Sequence, residues 1–230
     1  FITAGTLGAR AQTGSVLLGS TNAVGRFTAD AAVDVLFKEA DGYTVDSLGN
    51  SPLTVAGGPA NATAVFRGTT GIVAGSTESI ELNTLAGKVD QVADIQGQGG
   101  AAQNLVLRGA AAYELTRAGN SVSKLAADSG GGTVHYVNAG ALELGNIATA
   151  NLPSGVALTA GKSLERAGDV WVRALGGDLT LSAIADVSTF SLGLDASGNV
   201  VQTGGFITAG TLGARAQTGS VLLGSTNAVG

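Results

Sequence analysis

Cysteine is absent from this chain. Disulfide staples and thiolate metal sites are therefore excluded, and stability has to come from packing and backbone hydrogen bonding. Proline occurs 3 times, aromatic residues make up 4% and charged residues 13%. With so few rings, the core must be built from Ala, Val and Leu in small flat layers, which favours strands over packed helices. No run of Lys or Arg interrupts a formal net charge of −5, so phosphates could not be neutralised and a nucleic-acid partner is excluded. No stretch of about twenty apolar residues occurs, so no membrane span is expected. Neither an initiator Met nor a signal peptide opens the chain, which reads as an internal fragment of a longer protein. The single histidine, His135, excludes a histidine-pair metal site.

What the chain does hold is glycine, 37 of 230 residues, within a 44% apolar composition of positive mean hydropathy. Disordered chains combine low hydrophobicity with high net charge, so this one should fold. Its plainest feature is a repeat: Phe1 to Gly25 recurs without a change as Phe206 to Gly230. The period, from residue 1 to residue 206, is 205 residues. Residues 1–205 are thus expected to be one complete unit and residues 206–230 the start of the next. Identical sequence should rebuild the same structure one unit along, as solenoid arrays do.

A finer rhythm runs inside the unit. Asn22-Ala-Val24, Asp90-Gln-Val92 and Asn120-Ser-Val122 each lead to an apolar residue three positions on, at Phe27, Ile95 and Leu125. A polar or small-residue turn and an alternating segment follow. Val35 and Phe37, Leu105 and Leu107, and Val134 and Tyr136 take the inward positions, with Leu36, Val106 and His135 between them facing out. Eight residues after the first of each pair come Tyr43, Tyr113 and Leu142, and two later Val45, Leu115 and Leu144, separated by outward Thr44, Glu114 and Glu143. Further alternations are Val16 and Leu18, Ile80 and Leu82, Val156 and Leu158, Val170 and Val172, Leu179 and Leu181, and Phe190, Leu192 and Leu194. Period-two alternation broken by turns about every ten residues, recurring at roughly 20 to 30, fits one coil of a β-solenoid.

An antiparallel sandwich would also use short alternating strands, but it would not keep inward spacing constant while the turns vary. In a parallel coil, each strand pairs with its equivalent one turn away, about 4.8 Å along the axis, and like side chains form ladders. Tyr43, Tyr113 and Leu142 are expected on one such ladder. At roughly 20 residues per coil, the unit makes about ten coils and advances about 50 Å. Gly57-Gly58, Gly99-Gly100, Gly130-Gly131-Gly132 and Gly176-Gly177 supply corners. None carries the Lys-Ser/Thr ending of a phosphate loop or the Asp of a calcium-binding nonapeptide.

Asn199-Val-Val-Gln-Thr-Gly-Gly-Phe-Ile-Thr-Ala-Gly-Thr-Leu, Gly14-Ser-Val-Leu-Leu, Asn22-Ala-Val-Gly and Ala40-Asp-Gly-Tyr-Thr-Val together resemble the repeats of filamentous-haemagglutinin-like exoproteins. Gly176-Gly-Asp-Leu-Thr-Leu and Asn120-Ser-Val-Ser-Lys-Leu-Ala-Ala-Asp extend the likeness over most of the unit, with residues 50–100 the least regular. The resemblance implies an all-β, right-handed parallel β-helix built of tandem repeats. It further implies export by a two-partner system to the exterior or surface of a Gram-negative bacterium. The family supplies no catalytic residue and no cofactor.

The residues able to do chemistry are few. His135 alternates with inward neighbours and reads as a solvent-facing strand residue, and no Gly-x-Ser-x-Gly elbow surrounds any serine. Glu114 and Glu143, as equivalent outward positions, could flank a glycosidic bond as paired carboxylates do in carbohydrate-acting β-helices, but a solvated ladder is the plainer account. Asp41, Asp169 and Asp178 read as turn residues. Trp171, the single tryptophan, falls between inward Val170 and Val172 and so points outward beside Arg173. This pair is the candidate surface contact, for a neighbouring fibre, a glycan or a flanking loop. The expected function is a structural shaft without catalysis, whose partners are neighbouring units of the same chain; a carbohydrate-acting or glycan-binding helix is the alternative.

Overall fold

The computed structural model describes residues 1–49, 51–54, 63–66, 68–156 and 158–230, with the backbone alone for 51–54 and 63–66. The Gly57-Gly58 corner lies outside these residues. The chain is a β-solenoid of about ten turns of parallel strands, most of which join one 23-stranded sheet that wraps around the axis. Among the described residues, the only helix is a single 3-10 turn, Thr149–Asn151.

In the carboxy-terminal turns each coil carries three short runs, and each run lies on its counterpart one turn earlier. In the last coil, Ile207–Ala209, Thr211–Ala216 and Val221–Leu222 pair with Ile184–Asp186, Ser191–Ala196 and Val200–Gln202. Alternation does the sorting. Leu192, Leu194 and Ala196 are buried and their neighbours Ser191 and Gly193 are not, so one side of this run is committed to a continuous core. Near the amino-terminal end that core contains a stack of rings, Phe27 on Phe37 with centroids 3.8 Å apart and Tyr43 edge-on to Phe37 at 4.9 Å.

All twelve proposed inward residues, Val35, Phe37, Tyr43, Val45, Leu105, Leu107, Tyr113, Leu115, Val134, Tyr136, Leu142 and Leu144, lie in this core. Their grouping is different from that expected. Val35, Ile80 and Leu105 form one row and Phe37, Leu82 and Leu107 the next, but Val134 stacks on Tyr113 and Tyr136 on Leu115. Leu142 joins Leu179 and Val200 on another side of the coil. The third segment slipped by one side because its strand Val122–Asp128 already fills the row of Leu105 and Leu107. All sides share the same alternation, which cannot tell one from the next. Phe190 and Val156, read as parts of apolar alternations, are exposed.

Buried asparagines fasten successive coils. Asn120 accepts a hydrogen bond from Ile95 N at 2.9 Å and donates to Leu115 O at 3.0 Å and Val137 O at 3.2 Å. It thus ties its own corner to the strands on either side. Asn22 does likewise, accepting from Ile2 N at 2.9 Å and donating to Ser20 O and Lys38 O. Where coils crowd, glycine is obligatory: at Gly87, φ is +78° and a Cβ would sit 1.8 Å from Asp41 O.

Two coils are longer than the rest. One carries antiparallel pairings, Ser47–Leu48 with Thr69–Thr70 and Ser51–Thr54 with Thr63–Phe66, inserted between Val45 and Ile72. The other carries residues 145–161, between the strand Leu142–Leu144 and the strand Lys162–Glu165.

Candidate functional site

The outer surface is an array of rows one strand apart, so each outward side chain has for neighbours the residues at the same position one coil before and after. On the side formed by Val134–Asn138, Val170–Ala174, Ser191–Ala196 and Thr211–Ala216, one row reads Glu114, His135, Trp171, Gly193, Gly213. The row beside it reads Val137, Arg173, Asp195, Arg215.

Trp171 points outward as the alternation requires, but it is half-buried. Its ring meets His135 edge-on, centroids 6.4 Å apart, and lies over Gly193, where an added Cβ would come within 2.9 Å of the indole Cδ1. A glycine in the next coil is what lets the ring lie down on the sheet. Beyond it, Gly213 has nothing within 4 Å of an added Cβ, so Trp171, Gly193, Asp195, Gly213 and Arg215 line a shallow groove.

Arg173 stands next to Trp171 and takes part in a charge ladder. Its Nε lies 3.4 Å from Asp195 Oδ2, and Arg215 reaches the same carboxylate from the other side at 2.5 Å. The hydrogen bond from Arg215, then one from Gln217 and the charges of Arg215 and Arg173, hold the Asp195 carboxyl below the usual carboxylate range against the opposing effect of burial. His135 Nδ1 lies 2.9 Å from Glu114 Oε1, both side chains partly exposed. Glu143 faces Lys124 Nζ at 3.0 Å. Glu114 and Glu143 sit on different sides of the coil, Glu114 beside His135 and Glu143 between Lys124 and Thr180. The structure does not bring them together as a carboxylate pair. Among the described residues, no group of three or more His, Cys, Asp and Glu is arranged to hold a metal ion.

A second polar cluster was not foreseen. Val106, expected outward, is buried with Ala126 beneath Ile147, Leu152 and Leu158 of the segment 145–161. That segment is clasped at its edge by a buried ion pair, Arg108 Nε to Glu81 Oε1 at 2.6 Å. Glu81 also accepts from Ser154 N at 3.1 Å and Ser154 Oγ at 2.9 Å, while Arg108 donates to Val156 O. Every member of the clasp is a tie between the segment and the wall, so it reads as a fastening rather than a reactive centre. Its signal in the sequence was a short apolar set, Ile147, Leu152 and Leu158, in the second of the two long coils.

Comparisons with protein-family models, with curated proteins and with solved structures give no match. The protein is therefore placed by its fold alone, as a parallel β-solenoid of stacked turns. No helix among the described residues is long and apolar enough to cross a membrane.

Proposed function

We propose that this chain is a repeat module of an extended shaft, one unit of a long secreted or surface-displayed bacterial fibre of the filamentous-haemagglutinin-like kind, with no catalysis of its own. One observation carries the reading: the second copy of the 25-residue segment stacks on the coil before it as regularly as the first copy stacks beneath the coil after it. A sequence that fits a neighbour on each side can be continued without a seam. The outward acids support the absence of chemistry. Glu114, Glu143 and Asp195 each face a basic side chain on an adjoining coil, which suits cohesion along the axis better than attack on a substrate. The half-exposed pair Trp171 and Arg173, side by side on one strand, is the surface at which we place lateral contact with a neighbouring fibre or a glycan. The Gram-negative exterior as location follows from the sequence resemblance.

The test is a chain of two full units imaged by electron cryo-microscopy beside the single unit. A shaft predicts a rod that lengthens by about 50 Å per added unit, with strand spacing near 4.8 Å along its axis. Compact particles whose length does not grow with the second unit would overturn it.

A further inference from the structure

We propose that the outer face of the strands Val170–Ala174, Ser191–Ala196 and Thr211–Ala216 is a binding trough for a neutral, extended chain of β-linked hexoses, with Trp171 as its stacking platform. This rests on the reading of Trp171 and Arg173 as a surface contact and names the ligand; the shaft stands with or without it.

Three outward columns make the trough. The middle column is Trp171, Gly193 and Gly213, an indole followed by two positions without a side chain. One bank is Asp169, Ser191 and Thr211. All three are exposed, Ser191 and Thr211 are register partners, and Asp169 Oδ1 accepts from Ser191 N at 2.8 Å. The other bank is the ladder of Arg173, Asp195 and Arg215. Glu114 and His135, joined at 2.9 Å, close the indole end. The strands that carry Trp171 and Gly193 each have a coil on both sides, so the shaft itself shapes this part of the trough.

Dimensions choose between the possible occupants. Asp169 and Arg173 are four residues apart on one strand, about 13 Å, and Trp171 to Gly213 is two strand spacings, about 10 Å. A specific protein interface buries about 800 Å² on each partner, several times this floor. A neighbouring fibre would have to desolvate both polar banks for the apolar contact of one indole. A sugar does not. In a β-linked hexose with equatorial substituents, the ring faces are C–H and the hydroxyls stand around the edge. With a C–H face on the indole, the hydroxyls reach both banks, where carboxylate and hydroxyl oxygens accept and guanidinium donates. One sugar residue of such a chain is close to one strand spacing long, so successive rings lie over Trp171, Gly193 and Gly213.

Charge narrows the ligand further. Asp169, Asp195 and Glu114 set three carboxylates against the two guanidiniums of Arg173 and Arg215, so there is no positive excess to hold a uronate or a sulfate. Arg173 nevertheless keeps donors for a hydroxyl. Its side chain is 33% exposed, and among the described residues its Nε has no hydrogen-bond partner. The platform is also set in advance. Gly193 below and His135 at its side fix the indole, so little ordering is left to oppose binding.

The test uses the chain as it stands, because its single tryptophan reports on the site. Cellohexaose is the neutral probe and a heparin hexasaccharide the acidic one. Cellohexaose should change the indole emission saturably, with a Kd of about 1 mM or tighter, and the heparin fragment should not. By calorimetry, Trp171→Ala should weaken cellohexaose binding at least about tenfold, while Trp171→Phe keeps part of it because a smaller ring still stacks. Circular dichroism should show the same strand content in both variants, since the side chain points outward. No saturable change up to about 10 mM cellohexaose, or equal affinity in Trp171→Ala, would overturn the site. Tighter binding of the heparin fragment would overturn the neutral ligand. None of these results touches the shaft, which is decided separately by the length of the two-unit rod.

Discussion

Asparagine at the corners shows how much a single side chain does in this fold. Asn120 is wholly buried, and it satisfies one backbone donor and two acceptors on three different strands. Replacing it with Ala leaves Ile95 N–H, Leu115 O and Val137 O without their partner inside the stack, at a cost of about 3 kcal/mol. The loss should be local, because each coil touches only its neighbours. Amide exchange is expected to accelerate at Ile95 and Val122 while the end coils keep their protection; uniform acceleration along the chain would contradict nearest-neighbour stability. Trp171 offers a second test at this scale. Gly193→Ala puts a methyl 2.9 Å from Cδ1, and the indole must lift off the sheet. As the single tryptophan it reports on itself: its emission should shift to the red with strand content unchanged. An unshifted spectrum would mean that the ring does not lie over the glycine.

Among the elements, the segment 145–161 behaves unlike the wall it covers. Its apolar residues Ile147, Leu152 and Leu158 form a small cluster of their own with Val106 and Ala126, separate from the main core. Leu152→Ala should therefore cost about 2–3 kcal/mol in holding the segment down. We expect faster proteolytic cleavage within residues 145–161 and an unchanged melting transition for the solenoid; a lowered melting temperature would show that the flap and the core are one cooperative unit. Elements are also where reading by pattern reached its limit. By its alternation with Leu105 and Leu107, Val106 is expected to face outward. It does point outward, but the flap makes that outside a second inside. The pairing of Glu114 with Glu143 failed for a related reason. Each residue was correctly placed on an outer face, but not on the same side of the coil, because period-two spacing gives the face of a strand and not its position around the axis.

For the whole molecule, the core without cysteine and with few rings has a titration signature. The only three tyrosines, Tyr43, Tyr113 and Tyr136, are all interior. Burial pushes the Tyr113 hydroxyl up to about 12 from an ordinary 10.0, and raises Tyr43 and Tyr136 as well by the same desolvation. A raised phenol contributes stability that is fully present below the unfolded value near 10 and is lost as pH climbs through the folded values. Absorbance at the phenolate band should therefore stay flat at pH 11 and then rise in one step as the stack opens. Three independent titrations centred near pH 10 would mean that the rings are reachable from solvent.

The sequence by itself determined the strand class, the coil rhythm of about twenty residues, the inward identity of residues such as Phe37, Leu107 and Tyr136, and the 205-residue period. These are consequences of local alternation, turn chemistry and exact repetition, each complete within a short window of chain. Tertiary structure decided which side of the coil a run occupies, that Tyr113 stacks on Val134 and not with Leu142, that Trp171 rests on Gly193, and that residues 145–161 bury Val106. Each of these depends on how many residues the intervening corner and insertion consume before the chain comes round again. That length is set by three-dimensional closure against the neighbouring coil, and no pattern of alternate residues records it.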